Sequence, residues 1–419
     1  MSKSVQQWEN ELKSNWGLND FELRHSTIHR EVSPIKTTEY KLDMEWFPPG
    51  TEMEDDLNPP GTVATTVNLT NGVLTSFIVV MNEDHRENPP ILPSSNLNDV
   101  VAWIELQTGL KYKVDFQYKR KKTEDNGEEY LFIAVLNGKK VSPGGWIEIK
   151  VNEAGSIVFY SLYGYFPAFY PPIGIEESPK LNDSYVKEVI KQQVILFGTL
   201  EEEYKLLYGV EETFVDGVEL PRQDELIIRW EESDPLVDVE ITDQYIGEDW
   251  DDFRISQTIT EEEIANNIAH PDTLPITVEE KQACIQLVTN YIRNSRPHQN
   301  GEWKIEKFER DYGDIHMEVV PVSTLDRITD KLKITYNHEK GAILSVLDKK
   351  EMFSRFMDLP APPLEQISIS QEQAIANLEE DIYFEEHYVY DIERKKLKLM
   401  YKIDCHSFVN AITGEKFSS

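Results

Sequence analysis

Three segments of the chain share one pattern, in which an Asn is followed after two or three residues by a Gly and then by an apolar run: VNLTNGVLTSF (67–77), VNEAGSIVFYS (151–161) and YNHEKGAILSV (336–346). Asn and Gly tolerate the positive φ that a tight hairpin turn requires. The pattern therefore predicts three β-hairpins that turn at Gly72, Gly155 and Gly341. Because each hairpin follows a predicted helix, we expect repeated units of a helix and an antiparallel meander.

Other segments alternate apolar and polar residues, as half-buried strands do: EYKLDMEWF (39–47), GEWKIEKFERDY (301–312), KLKITY (331–336) and KLKLMYKID (396–404). A period of two with one polar face is typical of an antiparallel sheet that is covered on one side only. Helices supply the cover. Three helix starts are predicted by the capping-box spacing of Ser4 with Gln7, Thr277 with Glu280 and Ser370 with Gln373. The predicted fold class is α+β.

The length of the chain, 419 residues, is too great for one ordinary core. Proline clusters interrupt it repeatedly, and KLLYGVEETFVDGVEL (205–220) resembles KLMYKIDCHSFVNAITGE (398–415). We therefore predict three domains. They are an N-terminal helix-plus-meander module (1–86), a first long repeat module with an acidic C-terminal segment (87–260), and a second long repeat module (261–419).

The formal charge of −34 repels nucleic acids and anionic membranes, whereas cationic partners remain open. Residues 201–263 hold 22 acidic and 4 basic side chains, which favours a solvated acidic surface and linker over a cation site. Within that segment GEDWDDF (247–253) lacks the ligand order of an EF-hand loop. The basic run KYKVDFQYKRKK (111–122) predicts a half-buried strand with a charged outer face, and nucleic acid binding is its second interpretation.

The apolar runs and the cysteines both bear on the expected location of the protein. No run of residues has the apolar length of a signal peptide or a membrane span. Cys284 and Cys405 are 121 positions apart and form no CxxC or metal-spaced set, which is typical of buried thiols in a reducing compartment. We expect a cytoplasmic protein.

The C-terminal run ISISQEQAIANLEEDIYFEEHYVYDIERKKLKLMYKIDCHSFVNAITGEK resembles the PepSY-type pattern of a helix, strands and an Asn-Ala-x-Thr-Gly-Glu ending. The run VLNGKKVSPGGWIEIKVNEAGSIVFY (135–160) resembles the YcdB/YcdC-type repeated domain of Bacillus-like bacteria, and the likeness extends over 88–419. The resemblance implies α+β, PepSY/cystatin-like modules associated with peptidase propeptides and inhibition. It implies no settled biochemical activity and no catalytic residues, and members are often exported or membrane-tethered, unlike the expectation for this chain.

Catalytic motifs are missing from the sequence. The chain has no GxSxG, no phosphate-binding Gly-rich loop and no HExxH. His25 and His29 have a metal-like spacing, but Ser26, Thr27 and Ile28 favour a strand, on which the two rings lie about 13 Å apart. We therefore predict no cofactor and no metal. A hydrolase of unrecognised type, using carboxylates gathered between modules, is the alternative.

The densest aromatic run is FYSLYGYFPAFYPP (159–172). The simpler interpretation is that these aromatic side chains pack at a boundary between modules. Otherwise, alternation along the run exposes at least one row of aromatic side chains. Tyr and Phe supply rigid contact area for a partner, and we select Tyr160, Tyr163, Tyr165 and Phe169 as binding residues. The predicted function is a non-enzymatic, protein- or peptide-binding or regulatory role, including peptidase inhibition. A self-associating structural protein is a third possibility.

Overall fold

The structure is a computed structural model that describes residues 3–53, 57–92, 96–124, 127–200, 204–221, 226–241, 259–323, 330–338, 340–356 and 364–418. Its contacts divide the chain into two units. Unit 1 comprises Met1–Glu176, Ser256–Thr273 and His387–Leu399, and unit 2 comprises Glu177–Ile255, Leu274–Glu386 and Met400–Ser419. The three-domain division stays a prediction from the sequence.

Seven α-helices lie in the described ranges: α1 (Val5–Trp16), α2 (Leu97–Thr108), α3 (Asp183–Gln193), α4 (Glu261–Ala265), α5 (Val278–Ser295), α6 (Lys349–Phe356) and α7 (Gln371–Leu378). All three predicted capping boxes are confirmed, at the starts of α1, α5 and α7. In each box the Ser or Thr side chain accepts from the backbone N–H of the third helical residue, whose own side chain accepts from the cap N–H. The helices therefore begin where the sequence predicts.

The same ranges contain 22 strands: β1 (Glu22–Val32), β2 (Thr38–Phe47), β3 (Val63–Asn68), β4 (Val73–Val79), β5 (Phe116–Glu124), β6 (Gly127–Leu136), β7 (Lys139–Ser142), β8 (Gly145–Asn152), β9 (Ile157–Gly164), β10 (Ile175–Glu176), β11 (Val194–Leu200), β12 (Tyr204–Val210), β13 (Thr213–Val215), β14 (Leu226–Ile227), β15 (Trp303–Asp311), β16 (Asp314–Pro321), β17 (Leu332–Asn337), β18 (Ala342–Asp348), β19 (Ile382–Asp391), β20 (Lys396–Cys405), β21 (Ser407–Asn410) and β22 (Lys416–Ser418). The mixed α+β class with antiparallel sheets is confirmed.

Unit 1 is built on one large sheet with the strand order β1-β2-β3-β4-β9-β8-β6-β7, and β5 pairs with the other edge of β6. Helices α1 and α2 bury their apolar stripes against one face of this sheet. The core contains Trp8, Leu12 and Trp16 from α1 and Val100 and Ile104 from α2. The strands alternate buried and accessible residues, so neither α1 nor α2 covers the other face of the sheet.

The three predicted hairpins are confirmed. They join β3 to β4, β8 to β9, and β17 to β18, all antiparallel. Gly72, Gly155 and Gly341 have φ values of 72°, 80° and 62°, in the left-handed region that a Cβ makes unfavourable. At Gly155 a Cβ would also lie 2.9 Å from the carbonyl oxygen of Leu92. The common origin of the helix-and-strand segments stays a prediction.

Unit 2 contains two separate cores. In the first, α3 and α7 pack against the strands β11-β12-β21-β22, and β13 pairs with the last part of β20. In the second, α5 covers the antiparallel strands β14-β15-β16-β17-β18. Cys284, Val288 and Ile292 on α5 are fully buried there.

Two sequence predictions differ from the fold or fall outside it. The basic run 111–122 becomes regular strand only from Phe116, because residues 111–115 form a turn held by hydrogen bonds from Val114 and Asp115 to the carbonyl of Lys111. The acidic stretch with Glu248, Asp249, Asp251 and Asp252 lies outside the described residues. None of the described helices is long and apolar enough to cross a lipid bilayer.

Candidate binding site on the unit 1 sheet

The sheet of unit 1 has an outer face, which we define as the side turned away from α1 and α2. On β8 the residues Ile147, Ile149 and Val151 are buried in the core, so the alternate residues Trp146 and Lys150 lie on the outer face. Directly paired residues of antiparallel strands share a face. The strand register therefore decides which side chains of β1 to β9 meet on this surface.

The outer face carries a pair of exposed aromatic rings. Trp146 on β8 is paired in register with Tyr163 on β9, and their ring centroids are 4.5 Å apart with an interplanar angle of 39°. The two residues are 41% and 50% exposed, and on β4 Ile78 is 37% exposed opposite Phe159. Large rings that remain half exposed are the kind of anchor that binding surfaces use.

A set of charged side chains occupies the outer face on β1 and β2. The register pairs His29 with Lys41 and Glu31 with Glu39. The Lys41 ammonium forms ion pairs with Glu31 and, at 3.4 Å, with Glu39. The His29 ring lies 3.0 Å from Glu31 through Nε2 and 3.2 Å from Asp43 through Nδ1. These five residues form a connected network of two basic groups and three carboxylates.

A pocket of about 60 Å³ joins the aromatic and the charged parts of the outer face. Tyr163 and Phe169 contribute apolar wall, and Glu31, Glu39 and Lys41 contribute charge. This volume can hold a few waters or one small polar group. We call the pocket together with the Trp146–Tyr163 pair the aromatic–carboxylate site.

Tyr170 fixes the polar end of the pocket. Its hydroxyl donates to Glu39 Oε1 at 2.6 Å and accepts from Asn68 Nδ2 at 3.0 Å. Burial of the hydroxyl has the largest effect on the pKa of Tyr170 and raises it. The charge of Glu39 and the hydrogen bond to Glu39 raise this pKa further. The phenol therefore stays neutral and acts as a fixed donor that holds the Glu39 carboxylate in one orientation.

The network also sets the charge of its members. The hydrogen bond from His29 and those from Lys41 lower the pKa of Glu31 to about 2, against the effect of burial. The hydrogen bond to Glu31 and the charge of Asp43 raise the pKa of His29, although burial opposes this. Burial also disfavours the charged form of Lys41, yet the two carboxylates beside it raise its pKa overall. The network thus contains three carboxylates against two basic groups, so the carboxylates are in excess even when His29 is protonated.

This arrangement is suited to a cationic group. The excess carboxylate charge attracts a cation, and Tyr163 and Phe169 line the same pocket with aromatic side chains. A primary ammonium or guanidinium on an otherwise apolar stem matches both parts of the site.

The structure separates the four predicted binding residues. Tyr163 is exposed and Phe169 is half-buried in the pocket wall, whereas Tyr160 and Tyr165 are each only 1% exposed. The expectation that all four contribute to one accessible surface is corrected for Tyr160 and Tyr165. Tyr160 points to the inner face and packs edge-on to Trp103 at 5.3 Å, and Tyr165 packs against Tyr390 at 5.1 Å.

Sequence reasoning missed Trp146 and the charged residues of β1 and β2. A signal for Trp146 was present in WIEIKV, where Trp146, Glu148 and Lys150 are every second residue. In a strand such residues share one face, so the pattern places Trp146 on a polar face. No local signal relates Glu39 to Tyr170, which are 131 positions apart. Only the pairing of strands brings them together.

The absence of a metal site stays a prediction from the sequence. Within the described ranges, no group of three or more His, Cys, Asp or Glu side chains is arranged to hold an ion. His25 and His29 lie on β1, as predicted, and His25 is paired with Glu45 four register positions from the His29–Lys41 pair.

No family of known proteins matches the chain, and no curated protein sequence matches it. A solved structure, the Bacillus megaterium YpeB C-terminal domain, is similar with a TM-score of 0.27 and 11% sequence identity, over 83% of this chain and 98% of that chain. The resemblance to YcdB/YcdC-type and PepSY-type sequences stays a prediction.

Proposed function

We propose that the chain is a non-enzymatic binding protein for peptide or protein segments, and that the aromatic–carboxylate site receives a basic side chain of the partner. The observation that carries this proposal is the half-exposed Trp146–Tyr163 ring pair next to a pocket with excess carboxylate charge. In this arrangement the ring pair contacts an apolar part of the segment. The pocket receives its ammonium or guanidinium group.

The charge of the whole chain supports the same class of partner. A net charge of −34 raises the local concentration of cationic segments and speeds their encounter, an effect that weakens with salt. We infer that binding is fastest at low ionic strength. The pocket then supplies the specificity, because the Tyr170 hydroxyl already holds the Glu39 carboxylate in one orientation.

Two finer interpretations belong with this proposal. The recurrence of a helix followed by antiparallel strands, as in α1 with β1–β4 and α5 with β15–β18, supports an origin from repeated modules of the YcdB/YcdC and PepSY type. A regulatory or peptidase-inhibitory role is one form that segment binding can take. A hydrolase function has weaker support, since Glu31 and Asp43 are both engaged with His29 and the pKa of Glu31 is lowered.

The test is selection from a displayed library of random linear peptides on the intact protein, followed by calorimetric titration of the enriched peptides. We expect enriched peptides to contain Lys or Arg next to an apolar or aromatic residue. Glu39→Gln keeps the shape of the side chain and removes its charge. It is expected to weaken binding by about tenfold, equivalent to about 1.4 kcal/mol, and Trp146→Ala with Tyr163→Ala by more.

A matched control is the pair Leu106→Ala and Tyr312→Ala, which removes two exposed apolar side chains outside the site and should leave affinity unchanged. Peptides without basic residues, or affinities that are equal for the protein and its Glu39→Gln variant, would contradict the proposal. Turnover of the peptides during the titration would favour the hydrolase instead.

A further inference from the structure

A second surface lies in unit 2, in the groove between α3 and α7. The two helices are joined because Gln371, at the start of α7, donates from Nε2 to the carbonyl oxygens of Lys191 and Val194 at 3.0 and 2.7 Å. The groove has a volume of about 260 Å³, and Ile190 and Ile375 contribute its apolar floor. Nothing in the aromatic–carboxylate site uses this surface.

The two rims of the groove carry opposite charges. Lys187 and Lys191 on α3 form the basic rim, and Glu372 and Glu379 beside them form the acidic rim. All four residues are exposed. No salt bridge within 4.0 Å joins any of them to another side chain in the described part of the chain. Hydrogen bonds to its own backbone and to Ser370, with the charge of Lys191, lower the pKa of Glu372, so that it is ionised at neutral pH.

This pattern is complementary to itself. A two-fold axis that runs along the groove turns a second copy over, so that the basic rim of each copy lies on the acidic rim of the other. The apolar floors then face each other and exclude water. A partner with only basic or only acidic side chains would match one rim and be repelled by the other.

We propose that the groove between α3 and α7 binds the same groove of a second copy of this chain. With two Lys and two Glu the groove has no net charge, although the chain as a whole has −34. At physiological salt the Debye length is about 8 Å, so the distant charges of the two copies are screened while contacts between rims persist. Because seven residues of each copy line the groove, we expect a weak, reversible dimer with a Kd on the order of 10–100 µM.

Sedimentation equilibrium of the intact protein at about 0.15 M salt, over a concentration range that spans this Kd, measures the association. Two charge-reversed variants are compared with it: Lys187→Glu with Lys191→Glu, which makes both rims acidic, and Glu372→Lys with Glu379→Lys, which makes both rims basic. We expect each variant alone to dimerise at least about tenfold more weakly. An equimolar mixture of the two should form a heterodimer, because every contact between rims is then attractive.

The control is Lys111→Glu with Lys119→Glu on exposed residues of unit 1. It changes the net charge by the same amount as Lys187→Glu with Lys191→Glu and should dimerise like the unaltered chain. Circular dichroism of each variant shows whether it retains the fold. The proposal is overturned if the unaltered chain is monomeric throughout the range, or if reversing either rim leaves the association unchanged. It is equally overturned if two folded reversed variants fail to associate with each other. The peptide titrations test the aromatic–carboxylate site, whereas sedimentation tests the groove between α3 and α7. Either proposal can therefore fail while the other holds.

Discussion

Tyr160 and Tyr163 lie three residues apart on β9 and face opposite sides of the unit 1 sheet. Tyr160 is 1% exposed and packs among the tryptophans of α1 and α2, whereas Tyr163 is 50% exposed and contacts the Trp146 ring. One strand thus supplies both the core and the candidate site. The two tyrosines should respond differently to substitution, and so should the residues around them.

The hydroxyl of Tyr160 is buried and has no hydrogen-bond partner among the described residues. Tyr160→Phe removes this unsatisfied group, so we expect an unfolding free energy that is unchanged or higher by up to about 1 kcal/mol. Tyr170→Phe is the contrasting control. It removes the hydrogen bond to the charged Glu39 and should cost about 1.5–3 kcal/mol. Urea unfolding measures both, and a loss above about 1 kcal/mol for Tyr160→Phe would contradict this assignment.

The contact between the Trp146 and Tyr163 rings should contribute little to stability. We expect a coupling of about 0.5–1 kcal/mol from a double-mutant cycle with Trp146→Ala and Tyr163→Ala, because the rings are in contact but half exposed. The same cycle with Trp146 and Leu106, which is exposed on α2 on the other side of the sheet, should give no coupling. A strong coupling would mean that the pair is a structural element, and its exposure would then need no binding partner.

The charged network makes stability depend on pH in a defined window. The pKa of His29 is raised from 6.5, so its contribution is complete below pH 6.5 and is lost as the pH rises through the raised value. The pKa of Glu31 is lowered from 4.5 to about 2, so its contribution is present above pH 4.5 and is lost as the pH falls towards 2.

His29→Gln should therefore reduce stability most between about pH 4.5 and 6.5, by up to about 1 kcal/mol. Asp43 and Lys41 also face the ring, and they act in opposite directions on its charge. His25→Gln on the exposed part of the same strand is the control. Urea unfolding at several pH values would reject the coupling if the loss for His29→Gln were the same at pH 5.5 and pH 8.5.

Cys284 should be inert in the folded protein. It is fully buried on α5, and burial, with the nearby charge of Glu280, raises the pKa of its thiol to about 12. Because the thiolate is the reactive form, we expect no reaction with an aromatic disulfide reagent at pH 8 until unit 2 unfolds. Cys405 is half-buried, and its raised pKa should make its reaction slow. A Cys405→Ser variant isolates Cys284, and rapid modification of that folded variant would show that α5 opens readily.

Much of the local structure could be predicted from the sequence because local chemistry decides it. The capping pairs Ser4 with Gln7 and Thr277 with Glu280 start helices through hydrogen bonds within one turn. Gly72 and Gly341 end strands because each turn needs a positive φ. Such features depend on residues that are close in the sequence, so reading the sequence is enough to find them.

The binding residues were only partly predictable. Alternation along β9 correctly separates Phe159, Ser161 and Tyr163 from Tyr160 and Leu162. The sequence of the strand does not show which of these two faces packs against the helices, because either face could be covered. Residue 165 lies beyond the strand, and its burial depends on Tyr390, 225 positions away.

The sequence by itself determined the α+β class, the capped helices, the three hairpins and the acidic charge. The tertiary structure alone decided that Trp146 meets Tyr163 and that Tyr170 reaches Glu39. It also decided that Lys187 and Glu372 border one groove. Strand register and helix packing join residues that are distant in the chain. They are selected by the burial of whole faces, so no short segment carries the information that specifies them.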